Sequence, residues 1–155
     1  MFEQTISKRA WTTASACEVY ALLREGATWP VWSPLESFRL EQEGPDGGES
    51  LGAIRVFTTG RATSREEIVV LEPDRSFGYA LLSGLPLNGY RALVDLEPRD
   101  GGTEIHWHST FRAKLPGTGG LYRRFLGAFI GKCVDGLAAH ATADHASSSE
   151  HSTSA

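Results

Sequence analysis

The chain has 155 residues, of which 41% are apolar and 22% charged, and a formal net charge of −4. This length suits one domain with a real core. Lys and Arg are dispersed rather than gathered into a stripe, which argues against nucleic acid as a partner, and no run of about 18 apolar residues is present to span a bilayer.

In chain order, Gln4 to Thr13 has extended propensity and reads as a first strand. Ser15-Ala16-Cys17-Glu18 has the spacing of a capping box. Val19, Tyr20, Leu22 and Leu23 follow at helical intervals, and Gly26 ends a short helix. In Thr28-Trp29-Pro30-Val31-Trp32-Ser33-Pro34 two prolines forbid a long helix, so a single turn or irregular elbow is expected.

From Leu35 the pattern changes to short runs of strand formers. They are separated by Gly44-Pro45-Asp46-Gly47-Gly48, Thr59-Gly60, Glu72-Pro73-Asp74-Arg75, Gly84 to Gly89 and Arg99-Asp100-Gly101-Gly102. Closely spaced turns of this kind imply an antiparallel meander of six strands, seven with the first. Ile105, Trp107, Ser109, Phe111 and Ala113 alternate on one face of the last strand, and Tyr90, Ala92, Val94 and Leu96 on one face of the strand before it. A sheet with one apolar face needs a cover.

The cover is expected after the flexible Pro116 to Gly120 segment. Leu121, Tyr122, Phe125, Leu126, Phe129, Ile130, Cys133, Val134, Leu137 and Ala138 form a wide apolar stripe, which predicts a helix of about 20 residues. From about Ala143 the chain is rich in Ala, Ser, Thr and His, and a disordered tail is expected over 143–155, beyond a domain at 1–142. Cys17 and Cys133 are too few for a disulfide scaffold and read as reduced core thiols. With no apolar leader at the N-terminus, the expected location is the cytoplasm.

The order of strand, short helix, elbow, meander and long helix resembles the SRPBCC superfamily, the helix-grip proteins that include START domains and birch-pollen-allergen-like proteins. Four segments carry the resemblance: Ala14 to Leu23, Trp29-Pro30-Val31-Trp32-Ser33-Pro34, Val70 to Phe77, and Gly101 to Trp107. Together they are most similar to the polyketide cyclase/dehydrase-like branch. The resemblance implies an α+β helix-grip fold, in which a seven-stranded curved antiparallel sheet wraps a long C-terminal helix. It also implies a cavity between them for apolar or polycyclic molecules. Fold alone does not choose between carrier and enzyme.

The candidate ligand-binding residues are Trp29, Trp32, Phe57, Tyr79, Tyr90, Trp107, Phe111, Phe125 and Phe129. Each ring alone reads equally as core, but as a set they suit an apolar cavity with a few polar atoms. Arg55 alternates with Ala53 and Phe57. If it faces inward it would bind a carboxylate or enolate, which makes it a catalytic candidate with Tyr79 and Tyr90. Arg65, within Ser64-Arg65-Glu66-Glu67, reads as exposed. His106 and His108 have metal-chelating spacing but no third ligand nearby in sequence, and His140, His145 and His151 lie toward the tail, so no metal is expected. Gly127 and Gly131 suggest close approach of the helix to the sheet or room for a ligand, and read equally as sequence drift.

No nucleophile elbow, phosphate loop or dinucleotide fingerprint occurs, so no cofactor is expected. Three functions remain open: a binder or carrier of a hydrophobic small molecule, a polyketide aromatase or cyclase, and a protein-interaction module. The last would need Leu85, Leu87 and Trp11 in one exposed patch. Homodimerisation is left open.

Overall fold

The first helix begins where Ser15 and Glu18 cap each other. The Ser15 hydroxyl accepts from the Glu18 N–H at 3.2 Å, and the Glu18 carboxylate accepts from the Ser15 N–H at 2.7 Å. This computed structural model describes residues 3–153, with side chains described as far as residue 149.

Strand β1 spans Gln4–Thr12 and helix α1 spans Ala16–Arg24, burying Val19, Tyr20 and Leu23. A 3-10 turn, Gly26–Thr28, leads into the single-turn helix α2, Trp29–Trp32. Pro30 is tolerated there because first-turn amides need no helical partner. The turn stops at Ser33, which is extended (φ −121°, ψ 170°) as a residue before proline prefers.

The meander follows as β2 Ser37–Gln42, β3 Ile54–Thr59, β4 Ala62–Glu72, β5 Ser76–Ser83, β6 Leu87–Arg99 and β7 Gly102–Ala113. All neighbours are antiparallel, and β1 returns to pair with β7, giving the sheet order β1-β7-β6-β5-β4-β3-β2. Asp100 (φ 52°) and Gly101 (φ 78°) form the two-residue β6–β7 turn, a position that requires left-handed backbone. Register shifts at Arg65/Glu66, Ile68/Val70 and Asn88/Arg91 are bulges, which curve a sheet. The connection between β2 and β3 is longer than the Gly44–Gly48 turn signal suggests, and it carries Glu49 to the end of α1.

Helix α3, Gly119–Thr153, lies against β1 and β7. It buries Leu126, Ile130, Cys133, Val134, Leu137, Ala138 and Ala141. The first turns of the expected stripe are not covered: Leu121 is 69% exposed and Phe125 60%. The helix also runs well past the expected 20 residues, through 143–153 of the segment read as a disordered tail, whose residues 154 and 155 lie outside the described ones. No Gly or Pro follows Gly136 to stop it, and two contacts tie it down. Thr142 Oγ1 lies 2.8 Å from Thr12 Oγ1, and His145 Nδ1 3.0 Å from Glu18 Oε2. No described helix is long and apolar enough to cross a membrane.

Two further expectations are corrected. Cys17 is exposed, because it lies on the solvent side of α1, whereas Cys133 is buried as expected. Gly127 and Gly131 do not mark a close approach, since a Cβ on either would meet only the Lys8 side chain, at 3.8 Å or more. The close approach is at Gly136, where a Cβ would fall 1.8 Å from the Trp32 carbonyl oxygen. Gly131→Ala should therefore stabilise the protein by about 0.5–1 kcal/mol through helix propensity, raising the urea midpoint. A lower midpoint would show that the space beside Gly131 is needed.

Candidate functional site

The curved sheet and α3 do not close completely on each other. A cavity of about 130 Å³ remains between them. Its mouth is framed by Leu35 after the elbow, Thr59, Ala62, Thr63 and Ser64 of the β3–β4 hairpin, Gly84 and Leu85 before β6, and Phe125 and Phe129 of α3. Trp29, Phe57, Glu66, Tyr79, Tyr90, Trp107 and Cys133 line the interior.

Trp29 is the hub of the aromatic wall. Its ring centroid lies 4.9 Å from that of Trp32, 5.2 Å from Phe57 and 5.5 Å from Trp107. Its indole N–H donates to the Leu23 carbonyl at 3.0 Å, which fixes the ring to the end of α1. Of the nine rings expected at the site, seven line the cavity. Trp32 backs Trp29 from behind, and Phe111, 1% exposed, packs beside Tyr90 at 6.0 Å; neither reaches the cavity.

Arg55 faces inward, at 2% exposure, but does not line the cavity. Its guanidinium is committed elsewhere. Nη1 donates to the Leu23 carbonyl at 3.1 Å and Nη2 to the Arg24 carbonyl at 2.6 Å, while Nε stands 2.7 Å from Glu49 Oε1. The Phe77 ring centroid lies 4.9 Å from its central carbon. Arg55 thus pins the C-terminal end of α1, where a cation complements the helix dipole. The catalytic role considered for it is not supported. Arg65 points outward, as expected, and pairs with Glu41 through two hydrogen bonds of 2.9 and 2.6 Å.

The acidic group of the cavity is Glu66, which the run Arg65-Glu66-Glu67 had hidden. Parity could have found it, since Ser64 and Glu66 share a face with buried Ile68. Glu66 also lies directly across from Arg55 in the β3–β4 register. Burial pushes its pKa up to about 7, with the Arg55 charge opposing the shift. Burial also raises Tyr90 to about 12, the Ser109 and Tyr79 hydroxyls pulling the other way, and it raises Tyr79 and the Cys133 thiol well above their ordinary values. At neutral pH the tyrosines and the thiol are therefore protonated hydrogen-bond donors. Among the described residues that line the cavity, half-buried Glu66 is the acid whose pKa lies near neutrality. The buried Trp107 indole N–H has no hydrogen-bond partner among the described residues.

Leu85 lines the mouth and Leu87 is 7% exposed, whereas Trp11 is 46% exposed at the far end of β7. The patch required of an interaction module is absent among the described residues. On the outer sheet face the register sets Asp95 directly across from His106, so the His106/His108 pair does have an acidic neighbour. His140 stands 3.3 Å from Asp144, and the side chain of His151 lies outside the described residues.

A curved antiparallel sheet gripping one long helix over an aromatic cavity places the protein among the helix-grip, SRPBCC-type proteins. The chain belongs to the family described as polyketide cyclase/dehydrase and lipid transport, whose model matches residues 4–142. Solved structures share the fold at low identity. A START superfamily protein from Mycobacterium smegmatis superposes with a TM-score of 0.76 at 15% identity, covering 88% of this chain and 96% of that one. Ara h 8.0201 gives 0.71 at 16%, covering 92% and 99%. A protein from Thermus thermophilus gives 0.69 at 16%, covering 91% and 99%. No curated protein matches the chain.

Proposed function

We propose that the protein binds a compact, ring-bearing apolar molecule in the cavity between sheet and α3. Glu66, Tyr79 and Tyr90 supply the polar contacts. The observation that carries this reading is an aromatic-walled cavity whose interior carboxyl makes no hydrogen bond to another described side chain. Such a lining, mostly apolar with few polar atoms, is the usual make-up of a small-molecule site. At about 130 Å³ the space suits roughly one ring, since an apolar cavity of ~150 Å³ holds benzene.

Titration with single-ring aromatic compounds should change Trp29 and Trp107 fluorescence. Tyr79→Phe should weaken binding by about 2- to 12-fold, the worth of one hydrogen bond. The Glu66 pKa is raised, so the protonated acid donates below about pH 7 and the carboxylate accepts above it. A ligand presenting a carbonyl should bind more weakly as pH rises through 7, and a ligand presenting an N–H more tightly. Glu66→Gln should flatten either profile. No response to any single-ring compound between pH 6 and 8 would refute the reading.

A second reading, an enzyme of the aromatase or cyclase type, is favoured by one observation: a carboxyl near pH 7 beside two tyrosine hydroxyls. Ionised Glu66 would remove a proton from the carbon next to a ketone, and Tyr79 or Tyr90 would donate a hydrogen bond to the enolate oxygen. A folded poly-ketone chain exceeds the cavity, which ranks this reading below simple binding.

A further inference from the structure

We propose that Asp95, His106 and His108 form a binding site for a late first-row dication, zinc above all, on the outer face of the sheet. This site is separate from the ligand cavity. Strand pairing builds it: Asp95 of β6 is the cross-strand partner of His106 of β7, and His108 follows two residues on, on the same face. One ligand atom from each residue lies within 4.8 Å of the others. Zinc takes imidazole nitrogen and carboxylate oxygen at about 2.0–2.2 Å, which sets ligand atoms roughly 3.3–3.6 Å apart in a tetrahedron. Small side-chain rotations suffice to reach that spacing. His108 Nε2 already stands 2.7 Å from Asp95 Oδ2, and the two imidazoles stack at 4.5 Å and 27°.

The surroundings fit an ion. The Ser76 hydroxyl donates to Asp95 Oδ1 at 2.6 Å, fixing the carboxylate and leaving Oδ2 toward the histidines. The Ser7 hydroxyl lies 2.7 Å from His106 Nε2, so β1 supports the cluster from the other side. Such outer hydrogen bonds orient metal ligands. Arg9, the cross-strand partner of His106, is ion-paired with Glu104, which offsets its charge beside the cluster. Side-chain exposures of 33% for His108 and 41% for Asp95 leave an approach from solvent. Two imidazoles and one carboxylate favour zinc, nickel or copper over magnesium or calcium, and three protein ligands leave the fourth position to water.

The test is calorimetric titration of the untagged, chelator-treated full chain with zinc, alongside the visible spectrum of the cobalt(II) form. One ion should bind per chain, with the cobalt absorption of a four- or five-coordinate site. His108→Asn and Asp95→Asn should each weaken binding at least tenfold, and Ser76→Ala about tenfold. The triple variant His140→Gln, His145→Gln, His151→Gln should bind as wild type does. The Asp95 and His108 side chains lie on the solvent face, so circular dichroism should be unchanged, and fluorescence titration of the cavity should not move. Wild-type affinity in His108→Asn, loss of binding in the triple variant, or no binding by the wild-type chain would each overturn the site.

Discussion

Replacing Arg55 with methionine should destabilise the protein by about 3–5 kcal/mol, the usual cost of removing one member of a buried charge network. The size follows from what the side chain holds. The Arg24 carbonyl loses its side-chain donor, the Leu23 carbonyl keeps only the Trp29 indole N–H of its two, and Glu49 loses its buried cation. The guanidinium is also stacked against Phe77 and Trp29, so packing goes with the charge. A methionine stem refills part of the volume, so the effect reports the lost polar contacts. Arg55→Lys should not rescue, because an ammonium cannot reach two carbonyls and a carboxylate in one plane. Glu49 is 19% exposed, and Glu49→Gln should cost far less. Urea unfolding checks all three, and a loss below about 1 kcal/mol in Arg55→Met would contradict the pinning role. Losing the Arg55 charge should also move the Glu66 pKa further up, readable in the pH profile of ligand binding.

Gly136→Ala should be the most damaging single-methyl change in α3. Its Cβ would stand 1.8 Å from the Trp32 carbonyl oxygen and 3.0 Å from the carbonyl carbon, both of them backbone atoms. Neither can rotate aside, so helix or elbow must move. Overpacking of this kind costs about 1–3 kcal/mol or more, against a gain of ~1 kcal/mol in helix propensity. We expect a net loss of about 2 kcal/mol. The elbow carries Trp29 and Trp32, so tryptophan emission should shift in the folded state as well. The matched Gly131→Ala, on the same helix, should change stability in the opposite direction. Equal effects at both positions would show that the contact at Gly136 is not tight.

The architecture was legible because its signals are local. Period-two alternation in β6 and β7, the Asp100-Gly101 turn, the Ser15/Glu18 capping box and the two prolines of the elbow each act within a few residues. What escaped depends on pairings far apart in the chain. Glu66 looks solvated in its charged run and becomes an interior acid only because β4 presents alternate residues to the cavity. Arg55 finds its partners 31 and 32 residues back, at the end of a helix. Asp95 meets His106 only through the β6–β7 register. Trp32 and Phe111 were read as cavity rings because composition marks an aromatic as apolar but not which layer it occupies. The length of α3 escaped because a stretch without large apolar residues reads as unpacked, whereas a helix already nucleated continues until something breaks it.

Strand β1 lies at one edge of the sheet, and its partner in that sheet is β7. During synthesis it leaves the ribosome about a hundred residues before the strand that completes its hydrogen bonds, a separation that makes pairing slow. Helix α3, which packs on β1, arrives later still. The nascent chain can form its central hairpins early, yet it cannot seal the domain until α3 has been made and packs on β1. Premature termination anywhere before Ala113 would leave an unpaired strand edge and an uncovered aromatic wall, a substrate for chaperones and proteases rather than a smaller working protein.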